Sequence, residues 1–192
     1  MCHEETLILL GDSPFLTEIQ DKILYVLNRF PSMGINAAVL KYPVKYHVFS
    51  DLRVVYISNK FPNVISVTNR ACGSLLKKDA KELIDSYSFS IKEGTSSDII
   101  KGDKLAWCGF THDYAVSWAI WKGFKKVILI GAADFIKGNH HVLGGSFKFS
   151  EVLAKNSIKF LSDICSEKIE IMTCNPDSVL RIPRISIEDL LI

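Results

Sequence analysis

The sequence predicts one α/β domain, a three-layer α/β/α sandwich built on a doubly wound, mostly parallel, Rossmann-like sheet. Short runs that are apolar throughout recur along the chain, as strands covered by helices on both faces require. Stretches with apolar residues at helical spacing lie between these runs. The chain has 192 residues and no linker rich in Pro, Gly and Ser, so we expect a single nucleotide-binding-like domain over residues 1–192.

The predicted elements begin with a strand at Thr6–Leu10, a turn at residues 11–14 and an amphipathic helix over residues 16–30. Further strands are predicted at residues 37–40, 46–49, 54–57, 64–67, 127–130 and 169–173. Further helices are predicted at residues 75–84, 113–122 and 149–165. The most polar stretch, residues 92–103, is predicted to be a mobile loop or lid. The alternation of strands and helices gives the doubly wound topology.

Composition argues against several classes of protein. Hydrophobic residues make up 48% and charged residues 23% of the chain, as in ordinary globular domains, and no apolar run approaches a membrane-spanning length. The N-terminus shows no basic leader, so we expect a cytoplasmic protein. A net charge of +2 from dispersed Lys and Arg does not favour nucleic acid as a partner. Five scattered cysteines without a C-x-x-C pair predict neither a structural metal nor a disulfide. The oligomeric state stays open.

Three segments are candidates for binding a nucleotide. Gly11, Asp12 and Ser13 follow the first strand and precede a helix, where backbone N–H groups favour a phosphate, although a plain helix cap explains the turn equally well. Asn36 and Asp51 border further strands and suit a ribose, a base edge or a metal-bound phosphate; each alone is more often a turn residue or cap. The third candidate segment contains Cys108, Gly109, Thr111, His112 and Asp113.

This third segment ends one predicted strand and starts the helix at residues 113–122. Its small and hydroxyl groups suit contact with a phosphate or sugar. The alternative is that Thr111 or Asp113 is only an N-cap and that His112 is merely exposed.

The best catalytic candidates follow the strand at residues 127–130. Asp134 stands at the strand end, and His140 and His141 follow in a polar loop that continues to a Gly-Gly-Ser sequence. A carboxylate beside histidines suits acid–base chemistry, and adjacent histidines on extended chain point opposite ways, so one of them is expected to face the reaction. The alternative is a solvated surface loop. Two neighbouring imidazoles are a weak metal site.

The order of these features resembles a superfamily that contains lipooligosaccharide-type bacterial sialyltransferases, motility-associated flagellin glycosyltransferases and archaeal-type 6-hydroxymethyldihydropterin pyrophosphokinases. Members begin with a strand followed by Gly-Asn-Gly-Pro-Ser-Leu, to which residues 11–16 are similar. They also carry a segment like residues 123–135, which here reads Gly-Phe-Lys-Lys-Val-Ile-Leu-Ile-Gly-Ala-Ala-Asp-Phe. The C-terminal residues 156–180 are similar to the end of the sialyltransferase domain.

The resemblance implies a nucleotide-dependent transferase, a glycosyltransferase-like (sialyltransferase-like) enzyme. Its donor would be a CMP-sugar or another nucleotide-activated sugar, its acceptor a glycan or small molecule, and His140 or His141 would match the proposed general base by location. An alternative is pyrophosphoryl transfer from ATP to a pterin alcohol, with Asp12, Asp51 and Asp134 holding Mg²⁺. A third is a catalytically inactive nucleotide or sugar binding module, which the altered first motif favours.

Overall fold

The computed structural model describes residues 3–13, 15–133 and 151–192 of the chain, and these residues form two β-sheets. Seven parallel strands form the larger sheet in the order β10-β9-β1-β2-β3-β4-β5, and three strands form the smaller sheet in the order β6-β8-β7. The strands are β1 (Thr6–Leu10), β2 (Ser32–Ile35), β3 (Tyr46–Val48), β4 (Ile65–Thr68), β5 (Lys81–Leu83), β6 (Asp85–Ser88), β7 (Ile100–Lys101), β8 (Lys104–Trp107), β9 (Lys126–Ile130) and β10 (Glu170–Thr173).

Six α-helices connect the strands within the described residues. They are α1 (Phe15–Glu18), α2 (Gln20–Arg29), α3 (Val55–Ser58), α4 (Arg70–Gly73), α5 (Thr111–Trp121) and α6 (Glu151–Lys159). A π-helical turn, Phe160–Ile164, continues α6, and short 3₁₀ turns occur at Asn36–Leu40 and Leu52–Val54 among other places. No helix in the described part of the chain is long and apolar enough to cross a membrane.

The larger sheet separates two hydrophobic cores because side chains alternate across each strand. In β1, Leu7 and Leu9 face the core formed with α5 and the segment after α6. Ile8 and Leu10 face the opposite core, formed with α1, α2 and α3. Both faces are therefore apolar, which explains the continuous apolar runs of the central strands. The predicted α/β/α sandwich is confirmed.

The smaller sheet packs on the outer side of α5, which is consequently buried between two sheets. The Ser117 hydroxyl donates to the Ala106 carbonyl of β8 at 3.0 Å, and the Tyr114 hydroxyl donates to the Ile84 carbonyl, just before β6, at 2.6 Å. All residues from 112 to 119 are buried. A helix that is apolar on every side needs such an enclosed position.

Two predicted strands are short helical turns instead. Residues 37–40 lie in the 3₁₀ turn Asn36–Leu40, because the strand is formed by the preceding residues and the chain leaves it at Asn36, where φ is +49°. Residues 54–57 span the end of the 3₁₀ turn Leu52–Val54 and most of α3. Asp51 caps this 3₁₀ turn by accepting a hydrogen bond from the Arg53 amide at 2.8 Å. A short apolar run fits a strand and a buried helical turn equally well, so at residues 54–57 the capping interaction determines that the chain is helical.

Two further predictions about this half of the chain are wrong. The predicted helix at residues 75–84 contains the edge strand β5, which is preceded by the short helix α4; pairing with β4 outweighs the helical propensity of its Lys and Glu residues. The predicted loop at residues 92–103 contains a 3₁₀ turn, Ser96–Asp98, capped by Thr95, and then β7 of the smaller sheet. The smaller sheet was not expected from the sequence.

The strand order reverses between β1 and β9. From β1 the chain builds outward to β5, and it then returns to place β9 on the other side of β1. In open α/β sheets, ligands bind in the crevice outside the carboxyl ends of the strands at such a switch point. Residues 11–13 after β1, 36–40 after β2 and 131–133 after β9 lie at this edge of the sheet.

The backbones that follow β1 and β9 are in close contact. The amides of Gly11 and Ser13 donate to the carbonyls of Ile130 and Gly131 at 3.1 and 3.3 Å. A Cβ atom on Gly11 would lie 1.9 Å from the Gly131 carbonyl oxygen, and one on Gly131 would lie 2.6 Å from Cγ of Leu16. Glycine is therefore required at both positions to close the junction.

We expect Gly11→Ala to lower the free energy of unfolding by roughly 3 kcal/mol or more, because the added methyl group collides with a backbone atom that is fixed by β9. The measurement is urea unfolding. Gly102→Ala is the control, since φ there is +60° but no atom lies within 4 Å of the new methyl group. It should cost only the left-handed backbone strain, about 1–2 kcal/mol. Equal losses in the two variants would contradict a steric junction.

Candidate functional site

The crevice at the switch point is bordered mainly by backbone. Gly11 and Ser13 are buried after β1, and Gly131 and Ala133 are buried after β9. Gly131 and Ala133 both have left-handed backbones, with φ of +62° and +57°. A non-glycine residue in this region carries strain, and such strain concentrates at ligand sites.

Asn36 lies at the same edge of the sheet, immediately after β2. Leu10 of β1 pairs with Gly34 of β2, so Asn36 and Asp12 both lie two residues beyond paired positions of adjacent strands. The backbone oxygen of Asn36 accepts a hydrogen bond from Nε2 of His47 at 2.6 Å, but its buried side-chain oxygen Oδ1 has no hydrogen-bond partner among the described residues. An unpaired buried oxygen costs about 1–3 kcal/mol, which a ligand donor would recover.

A small cavity of about 10 Å³ connects the first candidate segment with the turn after β2. Its lining includes Gly11 and Asp12 on one side and Ala37, Ala38 and Lys41 on the other. The structure therefore brings Asp12 close to the residues that follow Asn36. Ser13 lies in the same loop on the side of β9, where its amide donates a hydrogen bond to the Gly131 carbonyl.

Asp51 is engaged elsewhere. It follows β3, two strands away from β1, and its carboxylate accepts hydrogen bonds from Nε of Arg53 at 2.9 and 3.1 Å. These bonds, together with the Arg53 amide, hold the pKa of Asp51 below its usual range. The structure thus uses Asp51 as a cap and ion-pair partner.

In the segment between β8 and α5, two backbone amides interact with the carboxylate of Asp113, in the first turn of α5. Asp113 Oδ2 accepts a hydrogen bond from the Phe110 amide at 3.1 Å, and the Cys108 amide also stabilises this carboxylate. Gly109 has φ of +125° and packs under Leu153 of α6. Thr111 is the first residue of α5 and is partly exposed. Gly109 is partly exposed as well, whereas Cys108 is buried.

Sequence reasoning missed a buried polar cluster formed by His112, Asp113 and Ser157. Nε2 of His112 lies 2.9 Å from Oγ of Ser157, and that hydroxyl donates to Oδ1 of Asp113. The direct distance from His112 Nε2 to Asp113 Oδ1 is 3.6 Å. The alternative in which His112 is merely exposed is wrong: only 8% of its surface is exposed, because its ring stacks on Phe110 and lies under α6.

Burial sets the protonation of this cluster. It raises the pKa of Asp113 to about 7, although hydrogen bonds from Ser157, Phe110 and Cys108 act in the opposite direction. It lowers the pKa of His112 to about 3, so this imidazole is neutral at pH 7. The carboxyl group, not the imidazole, is therefore the member of the pair that titrates near neutral pH.

The remaining catalytic candidates, Asp134, His140 and His141, lie outside the described residues. Within the described residues, no group of three or more His, Cys, Asp or Glu side chains is arranged to hold a metal ion.

No protein-family model matches the chain, and no curated protein matches it. Among solved structures, the chain is similar to the MAf glycosyltransferase from Magnetospirillum magneticum AMB-1, with a TM-score of 0.63 and 11% sequence identity. The similarity covers 98% of this chain and 35% of that protein, so this chain spans about a third of its length. At this identity the similarity shows a shared fold.

We expect the free energy of unfolding of the Asp113→Asn variant to increase relative to that of the wild type as the pH rises from 4 to 8. A folded-state pKa of about 7 lies above the ordinary value of 3.8, so the wild type loses stability as the pH rises through this window. The difference should grow by roughly 3 to 4 kcal/mol, at about 1.4 kcal/mol per pH unit. Denaturant unfolding at several pH values measures it.

Asp51→Asn is the matched control, because Arg53 lowers the pKa of Asp51. The wild type should then gain stability relative to this variant as the pH rises through the acidic range. A pH-independent difference between the wild type and Asp113→Asn would show that Asp113 does not titrate near neutrality.

Proposed function

We propose that this protein is a nucleotide-dependent transferase of the glycosyltransferase type, which binds a nucleotide-activated sugar at the crevice between β1, β2 and β9. The observation that carries the proposal is the crevice itself. It combines a topological switch point, a close glycine junction and the Asn36 oxygen, which has no hydrogen-bond partner in the described part of the chain. The fold is similar to that of a protein named a glycosyltransferase. That neighbour's name also agrees with one of the groups that the sequence resembles.

In this proposal, the nucleotide lies along the loop after β1, with Asn36 accepting a hydrogen bond from the base edge or the ribose. The sugar would extend toward the start of α5, and the acceptor would be a glycan or a small molecule. A CMP-sugar is the donor that the sialyltransferase resemblance favours. His140 or His141 is the general base proposed from the sequence, with Asp134 beside it.

The pyrophosphokinase alternative needs carboxylates that converge on Mg²⁺. Asp51 does not support this, because its carboxylate pairs with Arg53 and lies two strands away from β1. The Phe110 amide bonds to the Asp113 carboxylate and is therefore not offered to a ligand phosphate, so this loop does not favour a binding module for nucleotides over the transferase.

Nucleotide binding is tested by thermal unfolding with CMP, UDP, GDP and ATP, each with and without Mg²⁺. A bound nucleotide at 100 times its Kd should stabilise the protein by about 2.7 kcal/mol. We expect stabilisation by CMP without metal. Stabilisation only by ATP with Mg²⁺ would support the pyrophosphokinase, and no response to any nucleotide would support the binding module.

Asn36→Gly locates the binding site. Glycine adopts the positive φ of this position without strain, so folding should be unharmed, whereas loss of the amide should weaken nucleotide binding about tenfold. Asn59→Gly is the control, because Asn59 lies beyond α3 and bonds to backbone groups of residues 75 and 77. Unchanged affinity in Asn36→Gly would remove Asn36 from the site.

The proposed base is tested by the double variant His140→Ala, His141→Ala. Once transfer activity is found, kcat should fall by roughly 10²- to 10⁴-fold while nucleotide affinity stays nearly unchanged, because a general base acts on the proton in flight. Single-turnover kinetics and nucleotide titration measure the two quantities. Wild-type turnover in the double variant would show that neither histidine is the base.

A further inference from the structure

A groove with a volume of about 820 Å³ lies at the amino edge of the larger sheet, away from the crevice. Ser32 is the first residue of β2, Lys45 and Val64 directly precede β3 and β4, and all three line the groove. The Lys45 amide donates to the Ser32 carbonyl and the Ile65 amide donates to the Lys45 carbonyl, so the three strands start side by side. The end of α2 and residues 39–44 also contribute to the lining. A volume of this size is typical of sites for single small molecules.

Residues with ring side chains supply much of the groove's lining. They follow α2 or belong to the turns before β3 and β4, and they are Phe30, Pro31, Tyr42, Pro43 and Phe61. Leu40, which also lines the groove, is 45% exposed and offers apolar surface to a ligand. Rigid walls of this kind favour a rigid, flat ligand over a flexible chain, because little conformational freedom is lost on binding.

The charged side chains among the described residues that line the groove are all cations. They are Arg29, Lys41 and Lys45. Arg29 donates to the backbone oxygens of Leu190 and Ile192 at 3.4 and 3.2 Å, and the Lys45 ammonium lies 5.3 Å from the centre of the Tyr46 ring. Within the described part of the chain, no Asp or Glu side chain pairs with any of the three cations. Their charge therefore remains available to an anion.

A further cation adjoins one wall of the groove. Lys78 is only 9% exposed, and its Nζ donates to the carbonyls of Phe61 and Val64 at 2.9 and 2.6 Å. These two bonds hold the turn before β4 in place. Burial lowers the pKa of Lys78 to about 8, so the ammonium group is still mostly charged at pH 7. A concave surface bordered by charge of one sign attracts ligands of the opposite sign, which here are anions.

We propose that this groove is a second ligand site, which binds a small organic anion: a flat ring system that carries one anionic group, such as a carboxylate. The rings lie on the apolar lining near Leu40, and the anionic group lies near Lys41 and Lys45. Each ammonium group acts on it as a compact point charge. The site is independent of the transferase function, because the groove and the crevice lie at opposite edges of the sheet.

The first test uses the fluorescent anion anilinonaphthalenesulfonate and the folded full chain. We expect saturable binding of one dye molecule per chain, and weaker binding as the salt concentration rises from about 0.05 to about 0.5 M, because salt screens exposed charges. Phenylnaphthylamine, which has the same rings without the sulfonate, should bind without this loss at high salt. Absence of saturable binding of the sulfonate dye, or the same salt response for both dyes, would overturn the site.

The second test removes the positive charge. In the double variant Lys41→Gln, Lys45→Gln, binding of the sulfonate dye should weaken about three- to tenfold, while binding of the uncharged dye stays the same. The matched control is Lys104→Gln, Lys125→Gln, which loses the same charge at two exposed positions outside the groove's lining. Equal weakening in the two double variants would show an effect of net charge alone and would overturn the site.

The third test removes apolar contact. Leu40→Ser should weaken the binding of both dyes about three- to tenfold, because both place their rings on the same lining. Leu40 is 45% exposed, so the variant should fold, which its thermal unfolding checks. Leu52→Ser is the matched control, since Leu52 is 56% exposed and lies outside the lining. Unchanged binding of both dyes in Leu40→Ser would contradict their location in the groove.

The fourth test concerns the class of ligand and the separation from the crevice. Naphthoate and decanoate carry the same charge and are similar in size, and we expect naphthoate to displace the sulfonate dye at the lower concentration, because only its rings match the rigid lining. The reverse order would overturn the preference for a flat ring system. Asn36→Gly should leave dye binding unchanged, since Asn36 lies at the carboxyl edge of the sheet. Loss of dye binding in this variant would place the dye in the crevice and would overturn the second site.

Discussion

The close contact between the backbones of Gly11 and Gly131 is the constraint on which the rest of the structure depends. It allows β9 to lie against β1 up to the last residue of each strand, and so fixes the position where the strand order reverses. Because no side chain fits there, the floor of the crevice consists of backbone carbonyl and amide groups. Ligand contacts that depend on side chains must then come from the loops further out, such as Asn36.

The fold was predictable where burial on both faces imposes a pattern on the sequence. β1 and β9 are apolar throughout because each supplies side chains to both cores, and the sequence shows this directly. The secondary structure was predicted wrongly where a local sequence pattern is compatible with both a strand and a helix. The run at residues 54–57 became helical because of a cap at Asp51, and the polar β5 is a strand because of its pairing with β4, which is a non-local interaction.

The candidate site was predictable to the extent that strand ends can be predicted. Gly11, Asp12 and Asn36 follow strands, so their placement at one edge of a parallel sheet follows from the topology. The cluster of His112, Asp113 and Ser157 was only partly predictable from the sequence. A carboxylate at the third position of a helix commonly caps its own first turn, as Asp113 does for Phe110, but the contact with Ser157 spans 44 residues and has no local signature.

The enclosure of α5 between the two sheets has a consequence for the timescale on which this cluster stays assembled. Local opening requires few buried contacts and solvent-exposed backbone hydrogen bonds, and α5 is buried from His112 to Ala119. We therefore expect its amides to exchange hydrogen only when the whole domain unfolds. His112 and Asp113 lie on this enclosed helix, so we expect their geometry to persist for as long as the domain stays folded.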